Sequence, residues 1–255
     1  MRQMAKVKVL DLPVRTFHWV LTALVCFSWW SGTQGGDPLL MTYHLWSGYA
    51  ILALLLFRLA WGFVGSTHAR FSDFLYGPRA IIEFVKTLPR REPARFAGYN
   101  PLSGLSVLLI FVCIALQIGT GLFANDDIVT EGPLYKWVSK GTSDFLTTIH
   151  SYNFYVLLAL VSLHIVAVLF HLVYKSENLM APIFTGNKLL SQDAASAEAR
   201  DPGLGLALLV FGVAAPLVLA AHGELGPGAA ARGVRGAMPL ERLARDPVEP
   251  DAADP

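Results

Sequence analysis

Five of the seven histidines, His18, His44, His150, His164 and His171, lie in or at the ends of strongly apolar stretches. An ionisable side chain within a membrane-length apolar run is costly and marks a functional site by default. A lone membrane histidine more often just hydrogen-bonds between helices, but five in three runs are hard to explain that way. His150 and His164 are 14 residues apart. On an α-helix that spacing leaves them about 40° apart around the axis and roughly 21 Å apart along it. They share a face at two levels, too distant for one metal ion with ligand bonds of about 2 Å, yet suited to two stacked sites. His171 follows seven residues after His164, on the same face and about 10 Å further along.

The elements that must hold these residues are membrane helices. The 255 residues are 54% hydrophobic and 15% charged, against about 25% charged for an average soluble domain. That composition argues against a soluble enzyme and against disorder over most of the chain. A bilayer core about 30 Å thick needs about 20 apolar residues of helix, and four runs meet this: 14–32, 43–65, 104–124 and 147–174. A fifth, 204–221, is shorter and holds Pro216. The basic residues before the first run give it a superficial likeness to a secretory signal, but SWWSGTQGG offers no clear small-x-small cleavage site. The expected fold is an all-α integral membrane four-helix bundle with a fifth C-terminal transmembrane helix. Residues 1–188 form the bundle domain, 189–203 a polar linker, 204–221 the fifth helix and 222–255 a disordered tail rich in Gly, Ala, Pro, Arg and Asp. The segment PRAIIEFVKTL (78–88) reads as a short amphipathic helix at the interface.

Counting Arg15 at the inner end of the first run, Lys and Arg flanking the first four runs number 13 on the side of the N-terminus and two, Lys136 and Lys140, on the other. The positive-inside rule then places the N-terminus in the cytoplasm of a bacterial inner membrane. If the fifth helix crosses, Arg232, Arg235, Arg242 and Arg245 fall on the outer side, which makes that crossing the least supported. The net charge of +1 gives no general pull toward nucleic acid. Two cysteines exclude a disulfide framework or a four-cysteine metal site, and no C-x-x-C-H occurs for covalent haem.

With the N-terminus inside, His44 and His150 lie near the outer ends of their helices, and His18 lies near the inner end of the first. His18 matches the depth of His164 and, by distance from the surface alone, that of His171 about equally. Two imidazoles facing each other across a bundle core suit the axial positions of a haem b iron, with the macrocycle among apolar side chains. Such ligation leaves no open position and favours electron transfer over oxygen chemistry. Arg58, 14 residues after His44, shares its face at the inner level. It either meets a negative group such as a haem propionate or snorkels to the surface.

The residues LPVRTFHWVL, YHLWSGYAILALLLFRLAWGFVG, NPLSGLSVLLIFVCIALQIGTGLFANDD and IHSYNFYVLLALVSLH resemble the bacterial cytochrome b561 family, which includes the cytochrome b subunits of nickel-iron hydrogenases. The resemblance spans about residues 7–188. It implies a four-helix bundle enclosing two non-covalent b haems. One is held by His18 and His164, the other by His44 and His150, so His164 is preferred over His171. It further implies respiratory electron transfer across the membrane between quinone or quinol and a redox partner, a cytochrome c or a hydrogenase. It points to a subunit of an oxidoreductase complex rather than a stand-alone enzyme. Many members end after the fourth helix, so the fifth and the tail inherit no function.

Other candidates read more plainly. Cys26 and Cys113 are expected as buried small hydrophobes, and His68 and His222 as solvated. Met41 is a poorer axial ligand than His44. Gly119 and Gly121 suggest close approach of a helix or a porphyrin, and Gln117 a hydrogen bond across the bundle, to haem or to quinone. Asp126, Asp127, Glu131 and Asp144 crowd one outer loop, where they could steer a basic cytochrome c or simply be solvated. Two rival classes remain. A histidine-lined ion or metal transporter needs acidic partners within the spans, and there are none in the first four. A passive membrane anchor leaves the histidine ladder unexplained.

Overall fold

The structure, a computed structural model, describes residues 4–34, 37–91, 96, 98–127, 130–191 and 202–225. The tail expected at 222–255 lies outside the described residues from 226 onward. Four long helices make the bundle: α1 (Leu12–Thr33), α2 (Pro38–Val64), α5 (Pro101–Gly121) and α6 (Lys140–Val173). Short helices α3 (Phe71–Phe74), α4 (Pro78–Val85) and α7 (Met180–Thr185) flank them at one end, and α8 (Leu204–Leu225) follows.

The helix starts are written in the chain. Asp11, Asp37 and Asn100 cap α1, α2 and α5, each accepting a backbone N–H in the first turn. Each is followed by a proline within two residues, where the missing N–H costs nothing. Ser139 caps α6 by accepting from Thr142, which starts that helix seven residues before the expected span. Among the described residues α2, α5 and α6 are long and apolar enough to cross a membrane. α1 has the length, but Arg15, Thr16 and His18 in its first turns make it less apolar.

α1 packs on α2, α5 on α6, and α2 on α8, with lighter contact between α2 and α5. Two apolar clusters join them. Ile51, Leu55, Ile114 and Leu157 form one at mid-bundle, with Leu21, Leu24 and Val25 against it. Leu157 stands seven residues from both His150 and His164, so this cluster separates the two histidine levels. The other contains Phe17, Phe57, Trp61 and Phe111 together with Ala207 and Ala214 of α8. Outward-facing side chains such as Phe63, Val112, Leu163, Val166 and Leu208 are more than half exposed, as a hydrocarbon-facing surface requires.

Two strands were not anticipated. β1 (Met4–Lys8) pairs antiparallel with β2 (Asn187–Ser191), Met4 opposite Ser191 and Lys8 opposite Asn187. The start of the expected polar linker is therefore strand, and 192–201 lie outside the described residues. Gly186, with φ 81°, turns the chain into β2 while its carbonyl accepts from Val9 and Leu10. This ribbon ties the N-terminal arm to the segment after α6 at the inner end, as named by the predicted orientation.

Candidate functional site

The structure brings His44 and His150 together across the bundle. Their ring centroids are 6.2 Å apart with planes 83° apart. His44 Nδ1 donates to the Ser28 carbonyl at 2.8 Å, with Ser28 Oγ at 3.3 Å. His150 Nδ1 donates to the Gln117 carbonyl at 2.9 Å, with Thr120 Oγ1 at 3.3 Å. A carbonyl only accepts, so in the neutral rings each proton sits on Nδ1 and the Nε2 lone pair is left for a ligand.

Glycines make room for both rings. A Cβ on Gly32 would lie 2.7 Å from His44 Nδ1, and one on Gly121 would lie 2.9 Å from His150 Cε1. Gly119, by contrast, faces open space. Gln117 and Asn153 add a bond across the bundle, Asn153 Nδ2 donating to Gln117 Oε1 at 2.6 Å.

His18 and His164 form the second level, close enough to interact electrostatically. His164 Nδ1 meets Ser106 Oγ at 3.2 Å. His18 Nδ1 is buried with no hydrogen-bond partner among the described residues, and its ring packs edge-on against Trp19, centroids 5.1 Å apart. His171 is engaged elsewhere. It is 3% exposed, lies parallel to Phe84 of α4 and meets Glu177 Oε2 through Nδ1 at 3.3 Å. Lys188 closes this clasp on Glu177 Oε1 at 2.8 Å. Burial pushes the Glu177 pKa up, but hydrogen bonds from His171 and Lys188 outweigh it and hold the carboxyl below its ordinary value.

Arg58 does not snorkel, being 1% exposed. Its guanidinium sits 5.6–5.8 Å from the ring centroids of Phe71, Phe74 and Phe111. Tyr99 and Asp11 are close enough to interact with it, and among the described residues neither terminal nitrogen has a hydrogen-bond partner within 3.5 Å. Asp11 is itself satisfied, accepting from Val14 N at 2.8 Å and Trp61 Nε1 at 2.9 Å.

Two expectations are corrected, those for His68 and for the cysteines. His68 is buried rather than solvated, its Nδ1 2.7 Å from Asp73 Oδ2. Cys26 is exposed on the outer face of α1, and Cys113 only half-buried. The acidic loop is partly neutralised: Lys140 Nζ reaches Asp127 at 2.5 Å and Asp144 at 2.9 Å. Bonds from Asn125 and Lys140 hold the Asp144 carboxyl below its usual range, and the two carboxylates raise the Lys140 pKa. The side chain of His222 lies outside the described residues.

The reading from sequence missed Ser28, Gly32 and Ser106. Their signal was available: Ser28 and Gly32 lie four apart on one face of α1, a small-residue stripe that admits a partner side chain.

Two imidazoles bound to one metal at about 2 Å each, with each ring nitrogen about 1.1 Å from its centroid, stand roughly 6 Å apart. The His44–His150 pair meets that separation, and among the described residues no cluster of three or more His, Cys, Asp or Glu could hold a bare ion instead. The orphaned nitrogens of His18 and Arg58 also leave the second level short of partners. The residues thus fit haem with two axial histidines, the constellation of a membrane b-type cytochrome.

Residues 9–186 match the prokaryotic cytochrome b561 family, and the chain belongs to it. It is similar to a protein of Rhizobium leguminosarum bv. viciae named probable Ni/Fe-hydrogenase B-type cytochrome subunit, 26% identical over 72% of this chain and 89% of the relative. Proteins of the same name from Rhodobacter capsulatus and Azotobacter vinelandii are each 24% identical over 75% of this chain, covering 85% and 92% of their own lengths. No solved structure matches. The chain is therefore a haem-carrying electron-transfer protein of a prokaryotic membrane, and α8 lies beyond the matched residues.

Proposed function

We propose that the chain binds two b haems, one between His44 and His150 and one between His18 and His164. It carries electrons across the bacterial inner membrane between the quinone pool and a hydrogenase at the outer face. The carrying observation is the His44–His150 pair at 6.2 Å with both Nδ1 atoms tied to backbone carbonyls. The haems supply one-electron chemistry when bound. The chain's own residues do the rest. Ser28, Gln117 and Ser106 orient imidazoles, the Leu157 cluster excludes water between the levels, and Arg58 offers a buried cation to a propionate. The four long helices cross the bilayer with the N-terminus inside, in keeping with the lysine and arginine asymmetry, and α8 crosses as a fifth on its apolar composition alone. The names of the relatives favour a hydrogenase over a cytochrome c as partner.

The test is haem b per chain in detergent-purified protein with a reduced-minus-oxidised spectrum. Two six-coordinate low-spin haems are expected, reducible by added quinol. One haem removes one of the two pairs, and none overturns the reading.

A further inference from the structure

We propose that the start of α1 and the short helix α7 form a site for one anionic phospholipid of the inner leaflet, with Arg15 binding its phosphate. The leaflet follows from the orientation proposed above, and the site needs no particular haem count. Between α1 and α7 lies a cleft of about 430 Å³, lined by Leu12, Arg15, Thr16, Trp19, Val20 and Phe184 with Ile183. That volume is in the range of small-molecule sites. Leu12, Trp19, Val20 and Phe184 are all exposed along it, so the cleft opens on the lipid-facing surface rather than into the bundle.

Arg15 stands at this cleft with its charge unanswered. Its Nε donates to the Ile183 carbonyl at 3.4 Å and its Nη2 to the Phe184 carbonyl. Both carbonyls belong to the last turn of α7. They fix the guanidinium plane without neutralising it. Among the described residues no carboxylate pairs with it. Asp11, four residues earlier, already accepts from Val14 and Trp61. A half-buried cation beside an apolar cleft calls for an anion, and a phosphate accepts charge-assisted hydrogen bonds stronger than those to a carbonyl. Depth fits the same ligand. Arg15 is in the first turn of α1, and Trp19 lies one turn deeper, about 6 Å, where an acyl chain begins. Trp19 and Phe184, ring centroids 4.8 Å apart, form the aromatic wall common at a membrane interface. An anion without a tail would leave that wall bare. Trp19 also packs against His18, so a lipid seated here braces the turn that carries His18.

The experiment is native mass spectrometry of delipidated holoprotein in detergent micelles, titrated with dioleoyl phosphatidylglycerol or with dioleoyl phosphatidylcholine. Haem is counted in the same samples, which tests the two-haem reading separately. One phosphatidylglycerol per chain should be held about fivefold more tightly than phosphatidylcholine. Arg15→Gln should erase that preference. Arg79→Gln should keep it, because Arg79 is exposed and paired with Glu83. Val20→Trp fills the cleft while leaving Arg15 and its two carbonyls in place, so it should lose the lipid without loosening α7. Equal binding of the two lipids by the wild type, or an unchanged preference in Arg15→Gln or Val20→Trp, would overturn the proposal. So would a fall in haem b per chain in Arg15→Gln with the lipid preference intact, which would assign Arg15 to a haem propionate instead.

Discussion

The outer and inner histidine pairs sit on the same four helices yet are built differently. At the outer pair the protein supplies every contact the imidazoles need before any cofactor arrives: a carbonyl for each Nδ1 and a glycine beside each ring. At the inner pair the protein leaves polar groups unmet, His18 Nδ1 and both terminal nitrogens of Arg58. A buried donor without an acceptor costs about 1–3 kcal/mol, more when charged. The outer pair is thus preorganised, and the inner one gains most from a ligand that completes it.

The largest expected effect breaks the comparison outright. His44→Ala removes one outer ligand and should halve haem b per chain, and His18→Ala should do the same at the other level. Equal haem in both variants and wild type would discard the pairing. Gly32→Ala tests preorganisation more finely, because its methyl would enter the space of the His44 ring. Loss of outer haem alone is expected, read as haem b per chain falling from two toward one. Gly119→Ala is the control, since nothing lies within 4 Å of the added carbon.

Asp11→Ala sharpens the inner side. It removes the α1 cap and leaves Trp61 Nε1 without its acceptor in a fully buried site. Each loss is worth about 1–2 kcal/mol, so unfolding in detergent should come at markedly lower temperature. Arg58 also loses its nearby anion. Inner haem should therefore be lost before outer haem on heating. Loss in the reverse order would show that the inner level does not depend on this buried charge.

What the sequence makes legible here follows from periodicity. The four long helices, their Asx–Pro starts and the face shared by His150 and His164 all follow from residue type and 3.6-residue spacing. That spacing could not choose between His164 and His171, because both lie on that face. Phe84, Glu177 and Lys188, three residues from other elements, enclose His171 and support the proposed use of His164. Arg58 was ambiguous for the same reason. Only the arrival of Phe71, Phe74 and Phe111 over its guanidinium shows that it is enclosed. The β1–β2 ribbon joins segments at opposite ends of the bundle domain, so no local pattern announced it. His68 read as solvated because it falls between two apolar runs, yet it and Asp73 of α3 are packed together beneath Gly98.

The smallest expected effect concerns the clasp that keeps His171 away from the inner pair. Glu177 has its folded pKa below the ordinary value through His171 and Lys188, against the opposing effect of burial. A depressed carboxylate contributes stability that is fully present above its unfolded pKa and lost as pH falls through the folded one. The clasp should therefore hold at neutral pH and loosen only below the ordinary glutamate range, about 4.3. Glu177→Gln should abolish that acid step. At neutral pH it should also free the His171 ring, whose tie to Glu177 is then neutral and weaker. Hydrogen exchange across α4 and the end of α6 reads both effects. Unchanged protection in Glu177→Gln would mean that Phe84 alone fixes His171, and that packing rather than charge reserves His164 for the inner pair.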